Sequence, residues 1–321
     1  MWTPAKDGTV DTDRKLASQR MASLLERLAP NEGYTQSALD GVRFMRSNRP
    51  LGRTPVLYEP GIVIVCQGRK VGFLGDEVYV YDAQHYLVLS VPLPFSTETE
   101  ASEAEPMLAV SLRLDLTELT ELILAMDDTP PSQTAPLGIV STPLDADLAD
   151  ATLRLLRALC SPVEARVLGP ALRREILFRV LSGTQGEAMK AALVHQGRFG
   201  RVARALRKIH VDFAQPLDVG SLAQEAGMSI PAFHANFRTV TQTSPIQYIK
   251  STRLHQARLM MIRDGLTAAS ASARVGYESA SQFSREFKRF FGRTPVDEAR
   301  DMRASFALSP AASLNDYSGA H

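Results

Sequence analysis

The sequence predicts an α+β chain, β-rich in its N-terminal part and all-α at its C-terminal end, where two helix-turn-helix units are expected. Three observations predict it. Short strand-like runs punctuated by Gly and Pro crowd residues 42–114. Helical periodicity takes over from residue 145. A pattern of Gly, Phe, Phe and Pro then occurs twice in the last third of the chain. At 321 residues the chain is long enough for two domains, each with its own core.

Taken in order, a short amphipathic helix is expected over 14–28, where Leu16, Met21, Leu24, Leu25 and Leu28 recur at helical spacing. The runs GIVIVCQG (61–68), KVGFLGD (70–76), EVYVYD (77–82), HYLVLSV (85–91) and PMLAVSLRL (106–114) follow at close, regular intervals. Strands of this length and spacing argue for an antiparallel barrel or sandwich. The apolar run in 61–68 is continuous, so it does not decide whether Ile62, Ile64 and Cys66 or Val63 and Val65 face inward. DDTPPSQTAP (127–136) reads as a loop. Helices are expected over 145–160, 163–182 and 187–211, the last leading into the C-terminal module. The expected division is 1–190 for an N-terminal domain, 191–303 for a C-terminal one and 304–321 for a flexible tail.

Composition excludes several classes of protein. No apolar run approaches the roughly 20 residues that span a bilayer. The start, MWTPAKDGTVDTDRK, has no signal-peptide core, so a cytoplasmic protein without a membrane partner is expected. Cys66 and Cys160 are too far apart and too few for a disulfide framework or a zinc site. Residues 1–190 hold a single histidine, His85, which is too few to fill a metal's coordination sphere. No G-x-S-x-G elbow occurs, and GRKVGFLG lacks the Gly-Lys-Ser/Thr of a phosphate loop. Neither a cofactor nor an enzymatic activity is expected. Charge is segregated: residues 1–190 hold 19 Lys/Arg against 25 Asp/Glu, whereas 191–300 hold 16 against 8. A basic module joined to an acidic one points to a polyanion partner for the C-terminal part alone.

The repeat gives that partner a mechanism. Gly227, Phe233, Phe237 and Pro245 correspond to Gly276, Phe283, Phe287 and Pro295. In both copies the Phe residues are 4 apart and the second lies 8 before Pro; Gly to the first Phe is 6 residues in one copy and 7 in the other. Each copy reads as helix, Gly turn, helix, at about 221–242 and 268–291. Gly227 and Gly276 suit the left-handed residue that ends a helix. Ser229 is placed to cap the next helix, and Ser279 with Gln282 fits a capping box.

Unrolled at about 100° per residue, the second helix turns Phe283, Phe287 and Phe290 to one side. Ser281, Arg285 and Lys288 fall opposite, flanked by Gln282 and Arg289. The first copy points Phe233, Phe237 and Val240 inward, and Pro231, Ala235 and Arg238 outward, with His234 on the flank. Such a helix fits the major groove of double-stranded DNA. The intervening pattern, Pro245 to Asp264, spans about 30 Å as a helix, close to one turn of DNA. Lys250, Arg253, Arg258, Arg263 and Arg289 are candidate phosphate contacts.

The stretch RVGYESASQFSREFKRFFGRTP, with the tandem repeat around it, resembles the signature of AraC/XylS-type transcription regulators over about 201–303. The run from Tyr58 to Ser102 also resembles the regulatory domain of one subgroup. The resemblance implies a jelly-roll or cupin-like barrel with following helices, which senses an effector and forms a homodimer. It also implies transcription activation through RNA polymerase, repression being the alternative outcome. The family's base-reading positions fall on Ala280, Ser281, Gln282 and Arg285 in the second unit, and on Pro231, His234, Ala235 and Arg238 in the first. Pro231 and Ala235 depart from the polar or aromatic residues of some members and offer only apolar contact. Cys66 and His85 are the candidate effector contacts, Cys66 having a core position as its simpler reading. A sensor answering to a partner protein, an enzyme fused to a DNA-binding domain, and a purely architectural DNA-binding protein are the rival readings.

Overall fold

The computed structural model describes residues 7–126, 138–183, 186, 190 and 198–305. The loop expected at 127–136, most of the tail and the start of the helix expected from 187 lie outside the described residues.

The N-terminal part opens with α1 (Asp7–Leu28), longer than the helix read from the sequence. Ten strands follow: β1 (Gly33–Gln36), β2 (Val42–Ser47), β3 (Leu51–Tyr58), β4 (Gly61–Gln67), β5 (Arg69–Leu74), β6 (Glu77–Asp82), β7 (His85–Leu89), β8 (Leu93–Glu100), β9 (Met107–Arg113) and β10 (Ile139–Pro143). The helix α2 (Leu116–Met126) separates the last two. All pairings are antiparallel and form two sheets, β1-β2-β9-β4-β7-β10 and β3-β8-β5-β6, facing each other as a sandwich. Strands therefore extend beyond 42–114 on both sides. The two additions, β1 and β10, are the edges of the larger sheet, where a short strand needs only one neighbour and leaves a weak apolar pattern.

Strand β4 is buried on both faces. Ile62, Ile64 and Cys66 pack outward from the sandwich, against Met21 and Leu25 of α1 and against the helices α3 (Ala146–Leu159) and α5 (Gly169–Ser182). Val63 and Val65 face the interior, with Leu74, Tyr81 and Phe95 of the second sheet. One helix was expected over 163–182. The chain instead forms α4 (Pro162–Val167) and α5, because Gly169 and Pro170 cannot carry a helix through and Pro170 begins the next one.

The C-terminal part is all helical: α6 (Arg198–Asp212), α7 (Val219–Glu225), α8 (Ile230–Thr241), α9 (Pro245–Arg263), α10 (Ala268–Arg274), α11 (Ala280–Phe291) and α12 (Pro295–Ser305). Its two halves have different cores. Phe233, Phe237 and Tyr248 share one continuous core with α6 and the sandwich interior. Phe283, Phe287, Leu254 and Met261 form a separate one. The first half is thus continuous with the sandwich, while the second stands on its own core.

Candidate nucleic-acid interface and effector cavity

Helices α7 and α8 form one helix-turn-helix, and α10 and α11 form the other. Their turns are built alike. Gly227 and Gly276 adopt φ of 61° and 80°. The amide of Met228 donates to the Ala223 carbonyl at 2.9 Å, and that of Tyr277 to the Ser272 carbonyl at 3.0 Å, which is the six-residue closure of a Schellman turn. At Gly276 a Cβ would come within 2.4 Å of the Ala214 carbonyl oxygen, so glycine is required there sterically as well as conformationally. The entries to the second helices differ. Ser279 Oγ accepts from the Gln282 amide at 3.2 Å. Ser229 occupies the equivalent position but its side chain makes no capping bond, so the expected cap is absent there.

On α11, Phe283 and Phe287 are buried, while Ala280, Ser281, Gln282, Arg285, Lys288 and Arg289 are exposed. Phe290, expected inward, is only partly buried and stacks edge-on with His255. On α8, Phe233, Phe237 and Val240 are buried, while Pro231, His234, Ala235 and Arg238 are exposed. All ten sequence-named positions on these two helices therefore share solvent-facing surfaces. Arg238, Lys288 and Arg289 form no ion pair among the described residues. Between the units α9 runs 19 residues without a break, about 28 Å.

A second feature lies between the sandwich and the second unit. A cavity of about 600 Å³ is walled on one side by β3 and by Lys70, Thr97 and Thr99. Its other wall is helical, formed by His255, Arg258, Phe291 and Glu298. Arg258 and Glu298 make a buried ion pair at 2.6 Å, with side chains 9% and 7% exposed. Arg258 also donates to the Pro55 carbonyl of β3 at 3.3 Å and lies over the Phe291 ring. Burial drives His255 well below the ordinary histidine range, with the nearby Arg258 adding to the effect, so it is neutral at pH 7.

Two family profiles match this chain. One, the N-terminus of AraC-type transcriptional regulators, covers residues 38–188; the other, a helix-turn-helix domain, covers 222–301. The chain belongs to the AraC-type transcriptional regulators. Proteins of this family are regulators and not enzymes. The RCS-specific transcriptional activator RclR of Escherichia coli is 32% identical over 146 residues, 46% of this chain and 49% of RclR. The regulator AlkR of Acinetobacter baylyi is 32% identical over 104 residues, 32% and 33% of the two chains. This chain thus spans between a third and a half of the length of such curated relatives. Among solved structures, the unsaturated fatty acid bound form of wild-type ToxT from Vibrio cholerae superimposes with a TM-score of 0.56 at 11% identity, covering 84% of this chain and 96% of ToxT. That likeness is one of fold.

In this AraC-type chain several sequence-named residues are engaged elsewhere. Lys250 is paired with Glu286 at 2.9 Å. Arg253 donates to three backbone carbonyls, Phe213 at 2.7 Å, Gln215 at 2.8 Å and Gly276 at 3.1 Å, so it splints α9 to both flanking turns. Arg258 is buried in its pair with Glu298, and Arg263 is paired with Asp264 at 2.6 Å. Of the five cations named for phosphate, Arg289 alone keeps an exposed side chain with no ion pair among the described residues. Cys66 and His85 do not line the cavity. Cys66 faces the helices on the outer side of the larger sheet, where burial pushes its thiol up to about 12 and leaves it unreactive. His85 sits at the entry to β7, where its Nδ1 meets Asp82 at 2.9 Å.

Sequence reading missed Glu286, which accepts from Lys250, from Tyr277 at 2.8 Å and from Gln282 at 3.2 Å. Burial alone would raise its carboxyl, but these bonds hold it below the ordinary range. It fixes the side chain of Gln282 on the exposed face of α11. The local signal was an acid four residues after Gln282 on an otherwise basic helix. Lys70, one of the charged residues of the cavity wall, gave no such signal. Among the described residues no group of three or more His, Cys, Asp and Glu side chains is arranged to hold a metal, and no helix is long and apolar enough to cross a membrane.

Proposed function

We propose that this chain is a sequence-specific, effector-responsive transcription regulator that places α8 and α11 in successive major grooves of double-stranded DNA. The observation that carries the reading is the matched pair of helix-turn-helix units. Their second helices present exposed polar and basic faces, and one unbroken helix of 19 residues joins them. In this reading Arg285, Gln282 and Ser281 read base edges beside Ala280. His234 and Arg238 serve the other half-site, while Pro231 and Ala235 supply apolar contact such as a thymine methyl would accept. Lys288 and Arg289 contact phosphate.

Residues 1–190 act as sensor and homodimer-forming domain, 191–303 bind DNA, and 304–321 form a tail; the protein works at cytoplasmic DNA. Activation through RNA polymerase is the outcome we assign, in keeping with a relative named as an activator. The cavity supports control by a small molecule, because it touches both the sandwich and the second unit, and a ligand there would weight one arrangement of the two over another. The fatty acid bound to ToxT shows only that a protein of this architecture accommodates a small organic ligand.

Selection of duplex DNA from a random pool by the full chain tests the reading. Two conserved half-sites about one helical turn apart are expected. Recovery of DNA with no sequence enrichment would indicate an architectural binder instead.

A further inference from the structure

Glu286 lies within α11, and its carboxylate is held by donors from three places in the fold. Lys250 of α9 donates to Oε1 at 2.9 Å, and the Tyr277 hydroxyl, in the turn before α11, donates to Oε2 at 2.8 Å. The third donor is Nε2 of Gln282, which reaches Oε1 at 3.2 Å. Gln282 lies four residues earlier on the same side of the helix. It is exposed, whereas the Glu286 side chain is only 13% exposed. Burial works to raise the carboxyl, and the bonds from Lys250, Tyr277 and Gln282 outweigh it, so Glu286 is ionised at neutral pH. An ionised carboxylate accepts hydrogen bonds and donates none. The Gln282 amide must therefore present its nitrogen to Glu286, with its oxygen turned away from the carboxylate. One of the amide's N–H groups is spent in that contact; the oxygen and the other N–H remain.

We propose that Glu286 is a positioning residue for base recognition: by fixing the orientation of the Gln282 amide, it makes the second unit select adenine and reject guanine at one position of the site. This rests on the reading of α11 as a major-groove helix given above. A side-chain amide is nearly symmetric in shape, so its two orientations differ in whether oxygen or nitrogen meets the base. The major-groove edge of adenine offers an N6–H donor beside the N7 acceptor, which an amide oxygen and N–H match. Guanine offers two acceptors, N7 and O6, and an amide oxygen held outward sets acceptor against acceptor there. Turned over, with its nitrogen outward, the amide would serve guanine, and Glu286 bars that turn. Cytosine N4–H meets the oxygen but leaves the N–H without an acceptor, so adenine ranks first. The first unit has no counterpart. Ala232 and Asn236 stand where the second has Gln282 and Glu286, and the Asn236 amide donates to the Ala232 carbonyl at 2.7 Å within its own helix. The effect sharpens one half-site alone.

The test is competition titration of the full chain against duplexes carrying the site it selects, with each of the four bases at the position where Gln282→Ala abolishes preference. The native chain is expected to bind the adenine duplex about tenfold more tightly than the guanine duplex. In Glu286→Gln the side chain keeps its shape and an acceptor for Lys250, and it gains an N–H that the Gln282 oxygen can take. The amide is then free to turn, and adenine and guanine should come within about threefold of each other. In the Gln282→Ala background the same change should alter no preference. A second arm needs no change to Glu286: replacing the adenine by purine, which lacks the 6-amino group, should cost the native chain about tenfold. An unaltered base ranking in Glu286→Gln, an equal loss on all four duplexes, no loss with purine, or a native first choice other than adenine overturns the proposal. A native chain that selects no sequence would strike the DNA-reading conclusion itself, whereas selection intact with the ranking unaltered strikes the role of Glu286 alone.

Discussion

Tyr248 on α9 donates its hydroxyl proton to the Pro92 carbonyl of the sandwich across 2.6 Å. The same oxygen lies 2.7 Å from Nε2 of His210 on α6 and, having spent its own proton, accepts from the imidazole N–H. These two hydrogen bonds join the sandwich, the helix that enters the C-terminal part and the helix linking its two halves. Tyr248→Phe leaves the Pro92 carbonyl and the His210 N–H unsatisfied in a buried setting, at a cost of about 1–3 kcal/mol. Thermal unfolding should show the full chain losing several degrees; an unchanged midpoint would mean that the core alone holds the parts together.

The same histidine makes stability depend on acid. Burial lowers His210 to about 4, against an ordinary value of 6.5. The unfolded chain takes up the proton first, so stability is fully present above 6.5 and falls as the pH drops toward 4. Glutamine can donate to Tyr248 without titrating. Denaturant unfolding of His210→Gln across this range should give a flatter acid limb than the native chain, with His255 supplying the part that remains.

Lys70 imposes a slope of the same sign at the alkaline end. Its depressed folded value of about 8 means that the folded chain releases a proton before the unfolded chain does, which holds on until about 10.5. Stability therefore rises over that interval as the buried charge is relieved. Unfolding of native chain and Lys70→Met at matched pH should show the rise in the native chain and its absence in the variant.

What could be read from the sequence was local. Gly227 and Gly276, the paired phenylalanines and the prolines that open α9 and α12 lie within 20 residues of one another in each copy. Turn chemistry and helical period act at that range, so the two units and their exposed faces were legible. The orientation of β4 was not, because helices cover one face and the second sheet the other, and no alternation survives such burial. The intramolecular partners of Lys250 and Arg253 were not legible for a related reason. A basic residue on a helix looks the same in sequence whether it meets phosphate, a carboxylate 36 positions on or the carbonyl of a distant turn. The cavity joins Lys70 to Arg258 and Phe291, which only the tertiary fold brings together.

Arg285 and Lys288 share the exposed face of α11 and should behave differently on DNA. Arg285→Ala is expected to cost about 1–3 kcal/mol on the selected site and to relax preference at one base. Lys288→Ala should weaken all duplexes alike and lower the salt slope by about one. Titrations on selected and scrambled duplexes at several salt concentrations measure both. Equal losses on the two duplexes for Arg285→Ala would remove it from base reading.

Arg253 supplies the sharpest contrast between a structural cation and a phosphate contact. Its guanidinium donates to the carbonyls of Phe213, Gln215 and Gly276, and so holds α9, the turn after α6 and the second Schellman turn in one arrangement. Lysine cannot span three acceptors in a fork, so Arg253→Lys should keep the charge and lose the splint. If Arg253 were a phosphate contact, lysine would serve nearly as well, with stability untouched and the salt slope kept. The geometry predicts the reverse: Arg253→Lys and Arg253→Ala both lower thermal stability, by about 1 kcal/mol, because the partly buried Phe213 and Gly276 carbonyls lose their donor. DNA affinity should then fall through misplacement of α11 relative to α8, with the slope of log affinity against log salt unchanged in either variant. A slope reduced by about one in Arg253→Ala alone, at native stability, would return this residue to the phosphate-binding set.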